Sequence, residues 1–147
     1  METAPIEEAI GYLVKRVQQA FRRRSDAELR RRGLSMSQYA VLRALAEHPD
    51  ASAADLARLC FVTRQSLQDV LGGLRTEGLV DDGDGPTRGR ARALRLSPSG
   101  HIRLDSAHRA VLGVEAALTQ GLSVDQRSQL AALLSRCAEN LEAAERA

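Results

Sequence analysis

Two short helical patterns joined by only three residues constrain this chain more than any other feature. The stretch from Ser52 to Gly78 reads SAADLARLCFVTRQSLQDVLGGLRTEG, with apolar residues at helical spacing on both sides of Cys60–Val62. Ser52 and Thr63 stand where N-caps belong. Helices joined so tightly must cross at a steep angle, and the pattern therefore predicts a helix-turn-helix. We expect these side chains to fill the angle: Leu56, Leu59, Val62, Leu67 and Val70.

The second of these helices leaves a polar face at its start. Its apolar side chains share the opposite face, at Leu67, Val70, Leu71 and Leu74. Arg and Gln side chains can pair with guanine and adenine edges, and small hydroxyl residues can reach phosphates. An ordinary solvated face has a similar composition, so the helix pair alone leaves DNA recognition and simple packing both open. The candidate DNA contacts on this recognition helix are Thr63, Arg64, Gln65, Ser66 and Gln68.

A basic hairpin is predicted directly after the helix pair, in the segment LVDDGDGPTRGRARALRLSPSG. Leu79 and Val80 can begin a strand, residues 91–96 can return as a second, and glycines and a proline lie between them. A helix-turn-helix followed by such a hairpin is a winged helix, although a solvated arginine-rich loop would look similar. We predict that the wing reaches phosphates or a minor groove through Arg88, Arg90 and Arg92.

The segments LARLCFVTRQSLQDVLGGLRTEGLV and PTRGRARALRLSPSG resemble the winged-helix core of the MarR (multiple-antibiotic-resistance regulator) family of bacterial repressors. The resemblance extends to a long helix before the core, two helices after it and the total length. Residues 96–100, LSPSG, sit where members carry Leu-Thr-x-x-Gly. Two positions depart from the usual pattern. Arg88 stands where many members have the Asp of a wing Asp-x-Arg motif, and Phe61 stands where helix-turn-helix proteins favour Gly.

The resemblance implies a homodimeric transcriptional regulator, a repressor that binds double-stranded DNA at an inverted-repeat operator and is released by a small effector. It also implies a ligand crevice between the dimer helices and the winged core. There Tyr12 and Tyr39 would offer rings and hydroxyls, and Arg16 would meet a small aromatic or anionic ligand. A core position for Tyr39 and a solvated Arg16 would explain the same residues equally well.

Helices are also predicted on both sides of the core. One long helix is expected from Pro5 to about Arg31, stopped by Gly33, and residues 98–145 carry two more. Hydroxyl residues that can cap helices stand at Ser35 or Ser37, at Ser97 or Ser99, and at Ser123. The prediction is a mainly α fold with a small β-hairpin wing, forming one domain over residues 1–147. Its winged core spans residues 34–97, and residues 5–32 and 98–145 form a helical dimerisation region.

The charge of the chain and its lack of catalytic motifs limit the possible classes of function. The net charge is only +2, so basic residues must act through local clustering. No stretch approaches the ~20 apolar residues of a membrane span and no signal peptide is recognisable, which predicts a cytoplasmic protein without a membrane partner. His48, His101 and His108 lack the companions of a zinc set. We therefore expect no metal, no cofactor and no enzymatic activity.

Two alternative functions are open at this stage. A thiol-based redox-sensing regulator could use Cys60, beside the recognition helix, or Cys137, on a leucine stripe of the last helix. The apolar surroundings of both positions favour inert, packed thiols instead, and a cytosolic chain favours reduced cysteines over a disulfide. The second alternative is a winged-helix protein-interaction module that does not bind DNA.

Overall fold

The computed structural model describes residues 4–82 and 94–146. The chain forms two compact units, of which the first ends at Val114 and the second begins at Glu115. The mainly α fold with a small antiparallel hairpin confirms the predicted fold class. In order, the elements are a 3-10 turn (Ile6–Glu8), α1 (Ile10–Arg30), α2 (Met36–Glu47), α3 (Ala53–Leu59), α4 (Arg64–Thr76), β1 (Val80–Asp82), β2 (Leu94–Leu96), α5 (Pro98–Leu118) and α6 (Val124–Glu145).

The first helix is shorter at its start than predicted. Ile6–Glu8 forms a separate 3-10 turn, and Ala9 is extended, with φ −66° and ψ 134°, so α1 begins only at Ile10. Its end agrees with the prediction. Gly33 adopts a left-handed conformation with φ 72°, which lets the next amide, that of Leu34, donate to the carbonyl of Leu29 at 3.1 Å.

Hydroxyl caps fix where α2, α3, α4 and α6 begin. The capping residues are Ser35, Ser52, Thr63 and Ser123. Each side chain accepts the backbone N–H three residues further on at 3.1 Å. In α2, α3 and α6 the side chain at that third position accepts the N-cap amide in return, which closes a capping box. These starts confirm the sequence prediction, with Ser35 rather than Ser37 capping α2.

The core of the first unit is built around α2, which contacts α1, α3, α4 and β2. Complete burial of a leucine or valine side chain contributes about 1.5–3 kcal/mol, so the fully buried residues dominate the stability of this unit. They come from α1, α2, α4 and the start of the hairpin. The largest are Leu29, Val41, Leu42, Leu67, Leu74 and Leu79.

The angle between α3 and α4 is filled as predicted except at Leu59. Leu56 and Leu67 are buried in the core, but Leu59 is 47% exposed. The reason is helical geometry: the buried face of α3 is centred on Leu56 and Ala57, and Cys60 continues that face one turn after Leu56. Leu59 therefore points away from it, and the prediction that Leu59 packs in the angle was wrong.

The strands form the base of the predicted wing. Val80 pairs with Leu96 and Asp82 with Leu94 in antiparallel register. The segment that connects these strands, residues 83–93, lies outside the described part of the chain. The predicted wing contacts Arg88, Arg90 and Arg92 all fall within it.

A close backbone approach joins the end of α4 to the start of α5. The Ser97 amide donates to the Leu79 carbonyl at 2.9 Å, and the Ser97 hydroxyl donates to the Gly78 carbonyl at 2.6 Å. That hydroxyl also accepts the Gly100 amide at 3.0 Å and so acts as a helix cap. A Cβ atom at Gly100 would collide with the carbonyl oxygen of Leu79, so only glycine fits here.

The long terminal helices expose apolar side chains in each unit. In the first unit α1 exposes Ile10, Val14 and Val17, and in the second α6 exposes Leu133 and Leu141. Uncovered stripes of this kind are unusual for a protein that works alone. Within residues 4–82 and 94–146, no helix has the length and apolar character needed to cross a membrane.

Candidate nucleic-acid interface

Helix α4 divides into a buried and an exposed face, as the sequence predicted. Leu67, Leu71 and Leu74 are buried against the core. The candidate DNA contacts on this helix are all exposed: Thr63, Arg64, Gln65, Ser66 and Gln68. Helix α4 therefore presents a continuous polar surface at its N-terminal end.

Two hydroxyl groups order the start of α4. The Thr63 hydroxyl accepts the Ser66 amide at 3.1 Å and donates to the Ser66 hydroxyl at 3.0 Å. This pair fixes the cap, while the Arg64 and Gln65 amides have no hydrogen-bond partner among the described residues. A helix N-terminus carries a partial positive charge, so this end of α4 suits a phosphate group.

Arg64 and Gln65 differ in how they are held. The Gln65 amide nitrogen donates to the Asp69 carboxylate at 3.2 Å, one turn along the helix. Arg64 makes no ion pair with any described residue. Arg64 is therefore available to an acceptor on DNA. The bond to Asp69 orients the Gln65 side chain and uses one of its two amide hydrogens, which leaves the other hydrogen and the carbonyl oxygen for a base edge.

Cys60 is a poor candidate for a reactive thiol. It is half-buried and packs against the hydrophobic core, and this burial raises the pKa of its thiol. A raised pKa leaves less thiolate at neutral pH, and the thiolate is the reactive form. Cys137 is exposed on α6, and both thiols are free.

The predicted effector residues occupy different environments. Tyr12 and Arg16 lie one turn apart on the exposed side of α1, where Tyr12 is 40% exposed. Tyr39 is only 6% exposed. Its hydroxyl is hydrogen-bonded to Nδ1 of His108 at 2.9 Å, and the two rings stack with centroids 6.4 Å apart.

A pocket between α1 and α5 was not predicted from the sequence. It has a volume of about 410 Å³, within the range of small-molecule sites. Small side chains on two facing helices were the only sequence signal that could have indicated it. The lining residues are Arg24, Ala27, Glu28, Arg109, Ala110, Gly113 and Val114.

The charges of this pocket favour an anionic ligand. Its carboxylate, Glu28, is engaged by Arg31 at 3.5 Å and by Arg32 at 3.0 Å. Arg24 and Arg109 form no ion pair with other residues in the described ranges. The described residues also contain no cluster of His, Cys, Asp or Glu suited to a metal ion.

The helices α2–α4 followed by a hairpin, with an exposed polar face on α4, define a winged helix-turn-helix protein. The model of the MarR family matches residues 32–91, which contain these helices and β1. Over this segment the chain is similar to the MarR family, and the relatives it matches are named as transcriptional repressors. This confirms the family resemblance seen in the sequence.

A characterised relative has both a DNA complex and a ligand complex. The HTH-type transcriptional repressor Rv2887 of Mycobacterium tuberculosis is 29% identical over 127 residues, or 86% of this chain and 91% of the repressor. The Rv2887 structure with salicylic acid superposes with a TM-score of 0.72 at 29% identity, covering 92% of this chain and 98% of that chain. The Rv2887 complex with DNA gives a TM-score of 0.71 at 27% identity, with the same coverage.

The fold is shared with more distant proteins. A MarR family transcriptional regulator from Silicibacter pomeroyi superposes with a TM-score of 0.81, covering 95% of this chain and 96% of that chain. The sequence identity is only 22%, so this similarity concerns the fold alone.

Proposed function

We propose that this chain is a homodimeric repressor that binds an inverted-repeat operator in double-stranded DNA and releases it when a small aromatic or anionic effector binds. The observation that carries the proposal is the capped, exposed polar face of α4, with Arg64 unpaired among the described residues. Similarity to the MarR family supports a DNA-binding role, and the DNA complex of Rv2887 gives a precedent in a relative.

The dimer is supported by the exposed apolar stripes of α1 and α6. Covering such stripes with a second copy would remove apolar surface from water in both chains. A two-fold dimer places its recognition helices in successive major grooves, about 10 base pairs apart. The operator is accordingly an inverted repeat with that half-site spacing.

The DNA contacts divide between α4 and the wing. Arg64 and Gln65 recognise base edges, while Thr63, Ser66 and Gln68 position the helix. In the wing, Arg88, Arg90 and Arg92 bind the backbone or the minor groove. The proposal for the wing rests on the sequence and on the similarity to the MarR family.

The test is binding to the promoter region of the protein's own gene, followed by fluorescence anisotropy on operator variants. Gln65→Ala will lower discrimination at one base position by about 1–3 kcal/mol. Arg90→Ala will weaken binding to all sequences and reduce the salt slope by about one unit, because one phosphate contact is lost. Arg146→Ala, at the end of α6, is the control for loss of one positive charge.

Three results would contradict parts of this proposal. If Gln65→Ala and Arg90→Ala had the same effect across all operator variants, the division of labour would be wrong. If the parent protein did not prefer its promoter to unrelated DNA, the repressor function would fail, and a protein-interaction module would explain the fold better. A footprint that was short, asymmetric and occupied by a monomer would exclude the symmetric dimer.

The effector site proposed from the family resemblance consists of Tyr12, Arg16 and Tyr39. Its support is the exposed Tyr12–Arg16 pair on α1, which offers a ring and a cation one turn apart. The salicylic acid complex of Rv2887 gives the ligand class in a relative. An effector that prefers a dimer spacing unsuited to DNA needs a coupling of about 1–3 kcal/mol to release the operator.

The pocket beside Arg24 and Arg109 is a second candidate place for the same class of ligand, because both guanidinium groups lack ion-pair partners in the described residues. Calorimetric titration with salicylate separates the two sites. Loss of binding in Arg16→Ala alone supports the first site, and loss in Arg24→Ala or Arg109→Ala alone supports the pocket. Unchanged binding in all three variants would refute both.

A further inference from the structure

The turn between α3 and α4 holds an aromatic side chain in an unusual state. Phe61 is 95% exposed, and its φ of 54° lies in the left-handed region. Among the described residues it is the only one other than glycine with a positive φ. Such a conformation is rare for a bulky residue, so both the backbone and the ring at this position need an explanation.

The backbone conformation and the side chain have separate explanations. The Phe61 amide donates to the Arg58 carbonyl at 3.2 Å, and the Val62 amide donates to the Ala57 carbonyl at 3.0 Å. These bonds close the turn, and a glycine or asparagine would make them with less strain. The turn thus accounts for the left-handed backbone but not for the phenyl ring. An exposed ring buries almost no apolar surface and so does not stabilise the fold.

The surroundings of the ring match DNA better than an apolar protein surface. Phe61 stands two residues before Thr63, the cap of α4, and therefore at the edge of the proposed DNA-binding face. Leu59, on the other side of Cys60, is also exposed, and Arg64 is exposed and forms no ion pair with the described residues. Apolar groups combined with an unpaired cation suit a partner that is both anionic and rich in exposed carbon atoms.

We propose that Phe61 is an apolar DNA contact that packs on carbon atoms at the edge of the major groove beside α4. This inference rests on the proposed DNA-binding function. Two parts of DNA offer the required carbons, the methyl group of thymine and the deoxyribose ring, and aromatic side chains are known to contact the former. The contact would remove the apolar ring of Phe61 from water. It would raise the affinity for DNA without a further charged contact.

The experiment compares Phe61→Asn, which removes the ring, with Phe61→Tyr, which keeps it. Phe61→Asn is expected to bind the operator about 10-fold more weakly, with a thermal midpoint no lower than that of the parent, because asparagine tolerates the left-handed backbone. The salt slope stays unchanged, because no phosphate contact is lost. Phe61→Tyr retains affinity within about twofold of the parent.

Operators carrying deoxyuridine in place of single thymines distinguish the two sources of carbon. If thymine methyl is the partner, one such substitution weakens the parent but has no further effect on Phe61→Asn. If deoxyribose is the partner, the substitutions affect both proteins equally while Phe61→Asn remains weak on every operator. Both outcomes support the contact.

The proposal is overturned if Phe61→Asn binds the operator as tightly as the parent does. It is also overturned if sedimentation velocity shows that Phe61→Asn loses affinity only because it changes the oligomeric state, which would assign the ring to a protein contact. A parent protein that binds no DNA would instead refute the proposed function itself. If Phe61→Asn fails to fold, Phe61→Gly takes its place with the same expected outcomes.

Discussion

The hydroxyl of Tyr39 lies 2.9 Å from Nδ1 of His108, and this hydrogen bond ties the central helix α2 to α5 across 69 positions of sequence. Tyr39 is buried in the core that supports α4, while His108 lies on α5 between the core residues Ala107 and Val111. A ligand that approached the Tyr39 hydroxyl would have to compete with His108. The pair is therefore one place where a ligand bound next to α5 could alter the packing of the DNA-binding core.

Tyr39→Phe removes this link without changing the shape of the ring. We expect a loss of about 1 kcal/mol in the free energy of unfolding, because the part-buried His108 nitrogen is left without its partner. Urea denaturation at one fixed protein concentration is the measurement, since dimer formation makes stability depend on concentration. Tyr12→Phe, at an exposed position, is the control and should change stability by less than about 0.5 kcal/mol. Equal losses in both variants would contradict the role of the bond.

Gly100→Ala will destabilise the protein by about 1–3 kcal/mol or more, because the added methyl group would collide with the Leu79 carbonyl. Gly113 provides the matched control on the same helix, since a Cβ there would meet nothing within 4 Å. Gly113→Ala should raise stability by about 0.5–1 kcal/mol through the higher helix propensity of alanine. Thermal and urea unfolding of both variants would measure these two changes in the free energy of unfolding. A stable Gly100→Ala protein would show that the helix start can move.

Two buried serines are expected to respond in opposite ways to removal of their hydroxyls. The Ser25 hydroxyl is fully buried and has no hydrogen-bond partner among the described residues, so Ser25→Ala should be neutral or stabilising by up to about 1 kcal/mol. Ser97→Ala should cost about 1–3 kcal/mol, because the Gly78 carbonyl and the Gly100 amide both lose a partner. Differential scanning calorimetry of the two variants provides the comparison. A destabilised Ser25→Ala would mean that its hydroxyl has a partner in solution.

The raised pKa of Cys60 predicts the pH dependence of its reactivity. In a Cys137→Ser background, alkylation by iodoacetamide should show a midpoint above the ordinary thiol value of about 8.5, since burial disfavours the thiolate. The unfolded protein in urea, with the ordinary midpoint, is the control. The same shift means that the stability contributed by this thiol is complete below the unfolded pKa and declines as pH rises through the folded pKa. Rapid alkylation at pH 7 would revive the redox-sensing hypothesis for Cys60.

Features set by neighbouring residues could be predicted from the sequence. Ser35, Ser52, Thr63 and Ser123 each bond an amide three positions away, so their caps depend on no other part of the chain. The polar face of α4 followed in the same way from helical periodicity. The order of helix pair and hairpin was then enough to indicate the winged helix, and the residues of these segments carried the resemblance to the MarR family.

Features set by the packing of distant segments became visible only in the tertiary structure. The sequence distinguished Leu59 from Cys60 by hydrophobicity, but the orientation of α3 against the core exposed the leucine and turned the cysteine inward. Likewise, Gly100 is required only because the Leu79 carbonyl comes close to it, and the Tyr39–His108 bond exists only because α2 and α5 meet. Local hydrogen bonds are encoded within four residues. Burial and close approach depend on how whole helices are oriented in space, and no short stretch of sequence specifies that orientation.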